Sequence, residues 1–372
     1  MIRTAFSVFL TSWAISLACV YVICHVAAKI GFLDRPGGRK RHTKSVPLGG
    51  GLAIFLGTAI PVLIGVLLSQ SYIPRLPDFL AEYASKLPLL FPQLMILWCA
   101  GFVIMLVGLL DDMFGLSPYL RLAVQVGTAI LVYVLSYMVT DIPEDMKLGA
   151  PVFRDMPWLQ GIFTVLWIVG LINAFNFLDN MDGMCAGVAI VSSAVLLTVA
   201  VQTQQIMVAA MLVTFIGALF GFMWFNFPPA RIFMGDAGST FVGFFMAIMT
   251  MAVTFFEPET SIPPLTAALI PVLVLIVPIY DICSVVFIRL KEHRSPFKPD
   301  RRHFSHRLLA LGMSQTEVLV TVYMVVFAIG IAATLLPQLT QWGQVMIVVQ
   351  GGVILSLISL LENAGRRQKR GD

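Results

Sequence analysis

Residues 158–172, WLQGIFTVLWIVGLI, run directly into residues 173–183, NAFNFLDNMDG. The first stretch could lie in lipid, whereas the second gathers Asn173, Asn176, Asp179, Asn180 and Asp182 within eleven residues. An apolar span ending in a crowd of oxygen ligands is a pattern that recurs along this chain. Hydrophobic residues make up 58% of its 372 positions and charged residues 12%, while a soluble domain carries about a quarter charged residues. The composition therefore predicts an all-α, polytopic integral membrane protein. A crossing takes roughly 20 apolar residues, so a single transmembrane domain over 1–372 has room for about ten or eleven and leaves none for a soluble domain.

Apolar windows bounded by polar or Pro/Gly-rich breaks fall near residues 5–26, 48–69, 92–110, 119–138, 158–178, 184–201, 206–226, 239–256, 264–288, 316–336 and 342–361. These are eleven spans. The first is too long for a signal-peptide core and is expected to stay in the chain. With the N-terminus outside, the ends of the odd-numbered spans collect 19 of the 24 basic residues, in a loop at 27–47, at Arg121 and Arg231, in a loop at 289–315 and in a tail at 362–372. Cytoplasmic loops carry such an excess, so the expected topology is N-out and C-in, and the net charge of +4 calls for no nucleic-acid partner. The five cysteines show no CxxC spacing and are expected to be buried, reduced thiols.

An ionised Asp in hydrocarbon is costly and ordinarily pairs, lines water or binds an ion. Four polar clusters stand at span ends: LVGLLDDMFG with Asp111 and Asp112, NAFNFLDNMDG, NFPPARIFMGDAGS with Asp236, and DRRHFSHR with His303 and His306. All follow odd-numbered spans, which places them together on the cytoplasmic face. Taken alone, Asp112 or Asp179 reads as a helix cap or a solvated loop residue. Adjacent acids point about 100° apart on a helix, so one of Asp111 and Asp112 acts while the other orients it. Asn173, Asn176, Asp179 and Asp182 recur every third residue and drift by about 60° per step, so they cannot share one narrow helix face. A helix break is expected, with Asn180 and Gly183 as the residues that tolerate it. Hard oxygen ligands beside a basic loop suit Mg²⁺ better than softer metals, and anion contact suits the histidines better than zinc.

In this order and over nearly the whole chain, RKRHTKSVPLGGGLAIF, GLLDD, NAFNFLDNMDG, NFPPARIFMGDAGS and DRRHFSHRLLALG resemble the polyprenyl-phosphate N-acetylhexosamine-1-phosphate transferases. The resemblance implies a bundle of ten or eleven transmembrane helices in the bacterial cytoplasmic membrane with a cytoplasmic-face active site. It also implies Mg²⁺, with Mn²⁺ as a substitute, held by Asn176 and Asp236. Asp111 takes the position of the acid at the lipid phosphate, with Asp112 its neighbour. Asn226, Phe233, Asp179 and Asp182 take positions lining the nucleotide pocket, Phe233 as a stacking partner for uracil. Arg302, His303 and His306 take positions in a loop that contacts phosphate or sugar. Two departures stand out: DNMDG replaces the usual DGLDG, and Ser305 replaces the middle histidine of HxHHR.

The implied reaction moves N-acetylglucosamine 1-phosphate from UDP-N-acetylglucosamine to undecaprenyl phosphate, releasing UMP and opening the synthesis of a cell-envelope polysaccharide such as O-antigen, common antigen or teichoic acid. Partners are thus a UDP-sugar, a polyprenyl phosphate and the bilayer, with a homodimer allowed. Alternatives are the phospho-N-acetylmuramoyl-pentapeptide transferases, whose branch carries consecutive histidines, and a relative using another UDP-N-acetyl sugar. In a different class stands a secondary transporter, whose acids should sit near mid-bilayer in repeated halves.

Overall fold

The computed structural model describes residues 2–35, 45–72, 78–138, 153, 155–255, 264–291, 293 and 303–371. The chain begins with α1 (Ile2–Ile30), α2 (Gly50–Tyr72), α3 (Asp78–Phe114) and α4 (Pro118–Met138). Next come α5 (Pro157–Leu178), α6 (Met184–Gln202), α7 (Ile206–Asn226), α8 (Gly235–Phe255), α9 (Pro264–Val274) and α10 (Ile276–Lys291). It ends with α11 (Phe304–Ala310), α12 (Gln315–Ala333) and α13 (Gln341–Gly371). The one sheet among the described residues is a two-residue antiparallel ladder, Leu33 opposite Pro47 and Asp34 opposite Val46, at the two ends of the first basic loop. Positions 36–44 within that loop lie outside the described residues, as do 294–302 with Arg302.

Among the described residues ten helices are long and apolar enough to cross a membrane, and α9 with α10 makes an eleventh if counted as one crossing. Each expected window thus has its helix or helix pair, but the ninth, expected as one run over 264–288, is instead two helices at 75°. Proline explains the correction. Pro278 has no N–H to give the carbonyl of Val274, and its ring would clash there if the helix continued. Val274 is accordingly the last residue of α9, and its carbonyl accepts a hydrogen bond from Ser192 Oγ of α6 at 3.1 Å.

The centre of the bundle is α8, 94% of whose spanning window is buried, against 17% for α1 and 11% for α13. It packs against α2, α3, α5, α6, α7 and α9. Lipid tails are as apolar as leucine, so helices here must gain their contact from close backbone approach, which small residues permit. A β-carbon added to Gly51 of α2 would lie 2.2 Å from the Gly238 nitrogen of α8. One added to Gly108 of α3 would lie 2.5 Å from the Asp236 carbonyl oxygen. The same device joins α1 to α7, where Gly217 and Gly221 face the backbone of Phe9 and Trp13 and Ser16 donates to the Ala218 carbonyl at 2.7 Å. The helix pairing therefore follows glycine and serine positions more than any apolar stripe.

All five cysteines are free, but the expectation that they are buried holds only for Cys185. Cys19 and Cys24 are half-buried, and Cys99 and Cys283 are exposed; on a spanning helix an apolar neighbourhood can be lipid as readily as protein core. Replacing Gly108 with valine should force α3 and α8 apart and destabilise the bundle by about 1–3 kcal/mol or more. Alanine at Gly65 or Gly127, where an added β-carbon would meet no atom of another helix within 4 Å, should cause no such loss. Thermal unfolding of the three detergent-solubilised variants checks this, and equal melting would refute the packing account.

Candidate active site

The polar clusters meet at one end of the bundle, where α3, α5 and α7 finish and α4 and α8 begin. Gly235 opens α8 with φ +70°, and a β-carbon on it would fall 2.3 Å from Asp112 Oδ2, so glycine is required on two counts. That close approach lets Asp112 receive the first amides of α8: Asp236 N–H donates to Oδ1 at 2.8 Å and Ala237 N–H to Oδ2 at 3.1 Å. Asp112 is thus a helix cap, but for a helix more than a hundred residues away in sequence.

Its neighbour Asp111 turns to α4. Oδ1 accepts the Leu116 amide at 2.6 Å and Oδ2 accepts from Arg121 Nη1 at 2.6 Å. The same Arg121 nitrogen reaches Asp236 Oδ2 at 2.6 Å. The other oxygen of Asp236 accepts from Asn176 Nδ2 at 3.0 Å, and that amide also donates to Ser239 Oγ at 3.0 Å. One carboxylate therefore joins α4, α5 and α8.

The helix break is where it was expected. Asp179 ends α5 with ψ 50°, and Gly183 precedes α6 with φ +75°. Asn180 does not adopt the left-handed conformation; its amide donates to the Phe177 carbonyl at 2.7 Å. The break scatters the four residues of the repeat. Asn173 bonds Gln125 of α4 at 2.7 Å, Asn176 faces Asp236, and Asp182 accepts the Ala230 amide at 3.0 Å. Asn226 is buried and spent on backbone, accepting from Gly183 N–H at 2.9 Å and donating to the Ile232 carbonyl at 2.9 Å. Phe233, half-buried, is held at its backbone by Pro47 and Gly50, which fastens the end of the first basic loop to this face. Burial pushes the carboxyl of Asp179 up to about 8, and the nearby charges of Asp236, Asp112 and Asp182 add to the effect.

The histidine helix docks alongside. His303 Nδ1 lies 2.9 Å from Asp281 Oδ2 of α10, and Asp281 Oδ1 accepts the Phe304 amide at 2.6 Å. The His303 ring stands edge-on to Phe177, centroids 5.8 Å apart, and 6.4 Å from the ring of His306. Ser305 donates to Asn180 Oδ1, so one residue from each of the two departing motifs touches the other. Arg121 and Asp281 were not among the expected site residues. A cation opening a span and a lone Asp inside an apolar window were both visible signals.

The donor set fits a hard cation. Among the described residues no three His, Cys, Asp or Glu side chains converge as a cage. The carboxylate of Asp236 and the amide of Asn176 nonetheless stand together, near three further acids whose mutual repulsion is felt at Asp179. One carboxylate, a neutral oxygen, water and substrate phosphates are the ligation Mg²⁺ accepts.

Residues 94–254 match glycosyl transferase family 4. The chain is 30% identical over 345 residues to the probable undecaprenyl-phosphate N-acetylglucosaminyl 1-phosphate transferase of Bacillus subtilis (strain 168), covering 91% of this chain and 87% of that one. It is also 30% identical to the undecaprenyl-phosphate alpha-N-acetylglucosaminyl 1-phosphate transferases of Salmonella typhi, with coverage of 91% and 86%, and Escherichia coli (strain K12), with 85% and 80%.

Loss of the α8 cap in Asp112→Ala should cost about 1–2 kcal/mol of stability, read from chemical or thermal unfolding. For Asp179 the carboxyl is raised above its ordinary value near 4. Its contribution to stability is therefore complete below about pH 4 and lost as pH rises through about 8. In cation-free detergent solution the wild type should lose stability over that window relative to Asp179→Asn, and parallel pH profiles of the two would contradict the assignment.

Proposed function

The chain belongs to glycosyl transferase family 4 and is a multi-pass membrane glycosyl-1-phosphate transferase, and from that premise we propose that it transfers N-acetylglucosamine 1-phosphate from UDP-N-acetylglucosamine to undecaprenyl phosphate, releasing UMP. The substrates follow the names borne by its relatives. The observation that carries the chemistry is the convergence of Asp111, Asn176 and Asp236, from three helices, on one patch with a single bridging arginine. The enzyme family sets the transporter alternative aside.

The obstacle to this reaction is Coulombic, since a phosphate monoester must approach a diphosphate in a partly dehydrated site. A phosphate monoester has a second pKa near 6 and is mostly dianionic at neutral pH, so the nucleophile is already charged. Asp111 then serves to position the lipid phosphate or to take a residual proton. Asp236 and Asn176 would hold Mg²⁺, which when bound would supply charge neutralisation at the phosphates. Asp112 keeps the start of α8 in place, Asn226 and Asp182 brace the loop that presents Phe233 to the uracil, and His303, held by Asp281, meets phosphate or sugar with His306. Preorganised charge of this kind needs no reorganisation as the reaction proceeds.

The membrane frame belongs to the same proposal: N-out and C-in, the site at the cytoplasmic face of the inner membrane, beside 19 of the 24 basic residues. Single cysteines placed at 111 or 236 should react with impermeant reagent in inside-out vesicles and stay unlabelled in intact cells; labelling in intact cells alone would sink the topology. A panel of UDP-N-acetylglucosamine and UDP-N-acetylmuramoyl-pentapeptide, with undecaprenyl phosphate, Mg²⁺ and a chelator control, should release UMP from the first sugar only. Asp236→Ala should abolish turnover, and near-normal rates in that variant would remove Asp236 from the cation site. Asp111→Asn should lower kcat; an unchanged pH profile assigns positioning, and a lost limb assigns a proton acceptor.

A further inference from the structure

Each oxygen of Asp236 already accepts a hydrogen bond from the protein itself. Arg121 Nη1 takes Oδ2 at 2.6 Å and Asn176 Nδ2 takes Oδ1 at 3.0 Å. Asn176 turns its amide nitrogen, not its oxygen, toward the carboxylate, and an NH₂ group cannot ligate a cation. The guanidinium also holds Asp111, and the three side chains come from α4, α8 and α3. Arginine cannot deprotonate at any ordinary pH, so this positive charge is permanent. The pair is half-buried, with side-chain exposure of 30% for Arg121 and 31% for Asp236, so water and ions reach it from one side.

We infer that Arg121 competes with a divalent cation for Asp236: it holds the Asp236 oxygen toward which the cation would bind, ties α4 to α8, and is displaced when the cation binds. This rests on the reading of Asp236 and Asn176 as divalent-cation ligands. Displacement leaves Arg121 on Asp111 alone, and rotation of the Asn176 amide turns its oxygen toward the ion. Loading the site thus replaces the guanidinium at Asp236 with the cation while the arginine charge stays on Asp111. The carboxylates are never left facing one another without a cation between them, and the affinity for metal is lowered by the cost of removing arginine. A ligand that binds only the displaced state loses affinity in proportion to how firmly the resting state is held.

Mn²⁺ binding followed by its EPR signal, on the full-length protein in detergent and without substrates, reads this directly. Arg121→Gln, which removes the charge and keeps a shorter polar side chain, should bind Mn²⁺ about tenfold more tightly than wild type, the change expected when roughly 1.4 kcal/mol of competition is lost. Arg121→Lys, with a compact ammonium that cannot span two carboxylates as well, should fall between them. Cation-free Arg121→Gln should also melt below wild type and gain more from added Mg²⁺ than wild type does. Equal or weaker Mn²⁺ binding in Arg121→Gln overturns the exchange while leaving the cation site standing. A wild type that binds no Mn²⁺, either alone or after addition of UDP-N-acetylglucosamine, overturns the cation site and the exchange together. Should Arg121→Gln fail to fold, the Arg121→Lys comparison decides the matter, since binding as in wild type or weaker overturns the exchange.

Discussion

The amino terminus of α8 starts at one end of the bundle, pressed against the backbones of α2 and α3, and Asp112 of α3 receives its leading amides. The rest of the site depends on that contact. It places Asp236 one residue inside the helix, with its side chain between Asn176 of α5 and Arg121 of α4. The positive end of the helix dipole and the charge of Arg121 both favour an anion at that spot. An apolar residue at 112 would leave the helix start unpaired, and the carboxylate of Asp236 would lose its fixed position along with it.

Such an arrangement needs backbones that come unusually close, and the bundle obtains this by omitting side chains. Gly51, Gly108 and Gly238 let α2, α3 and α8 touch around the site, as Gly217 and Gly221 do for α1 and α7 farther away. Polar side chains meet the needs that remain. Ser192 takes the Val274 carbonyl that Pro278 leaves without a partner, and Asp281 takes the first amide of α11 while holding His303. In each case an unpaired backbone group in a low-dielectric setting selects a specific residue type, at a place where packing alone would accept many.

The sequence was read correctly where the argument was local. Asp111 and Asp112 had to diverge on a helix, and they do, one to α4 and the other to α8. The repeat of Asn and Asp at every third position had to break, and Gly183 has the positive φ that allows it, although Asn180 does not share it. The reading failed where the outcome depended on a partner distant in the chain. Arg121 counted only as an orientation charge, because its proximity to Asp236 arises from how α4 packs. Asp281 was passed over because 22 positions, including an undescribed stretch, separate it from His303. The bend at Leu275 was legible in Pro278, but its angle depends on α6 as well as on proline.

Composition and hydropathic spacing were enough by themselves to determine an all-α membrane bundle, its near-complete set of spans and the grouping of four polar motifs at alternate span ends. These properties are set by the cost of exposing peptide groups and charges to hydrocarbon, which each segment meets or fails alone. Only the tertiary structure decided which acid caps a helix, which carboxylate takes the arginine and which histidine is held by a buried aspartate. Those assignments depend on distances of about 3 Å between helices far apart in the chain, and a one-dimensional pattern contains no such distances.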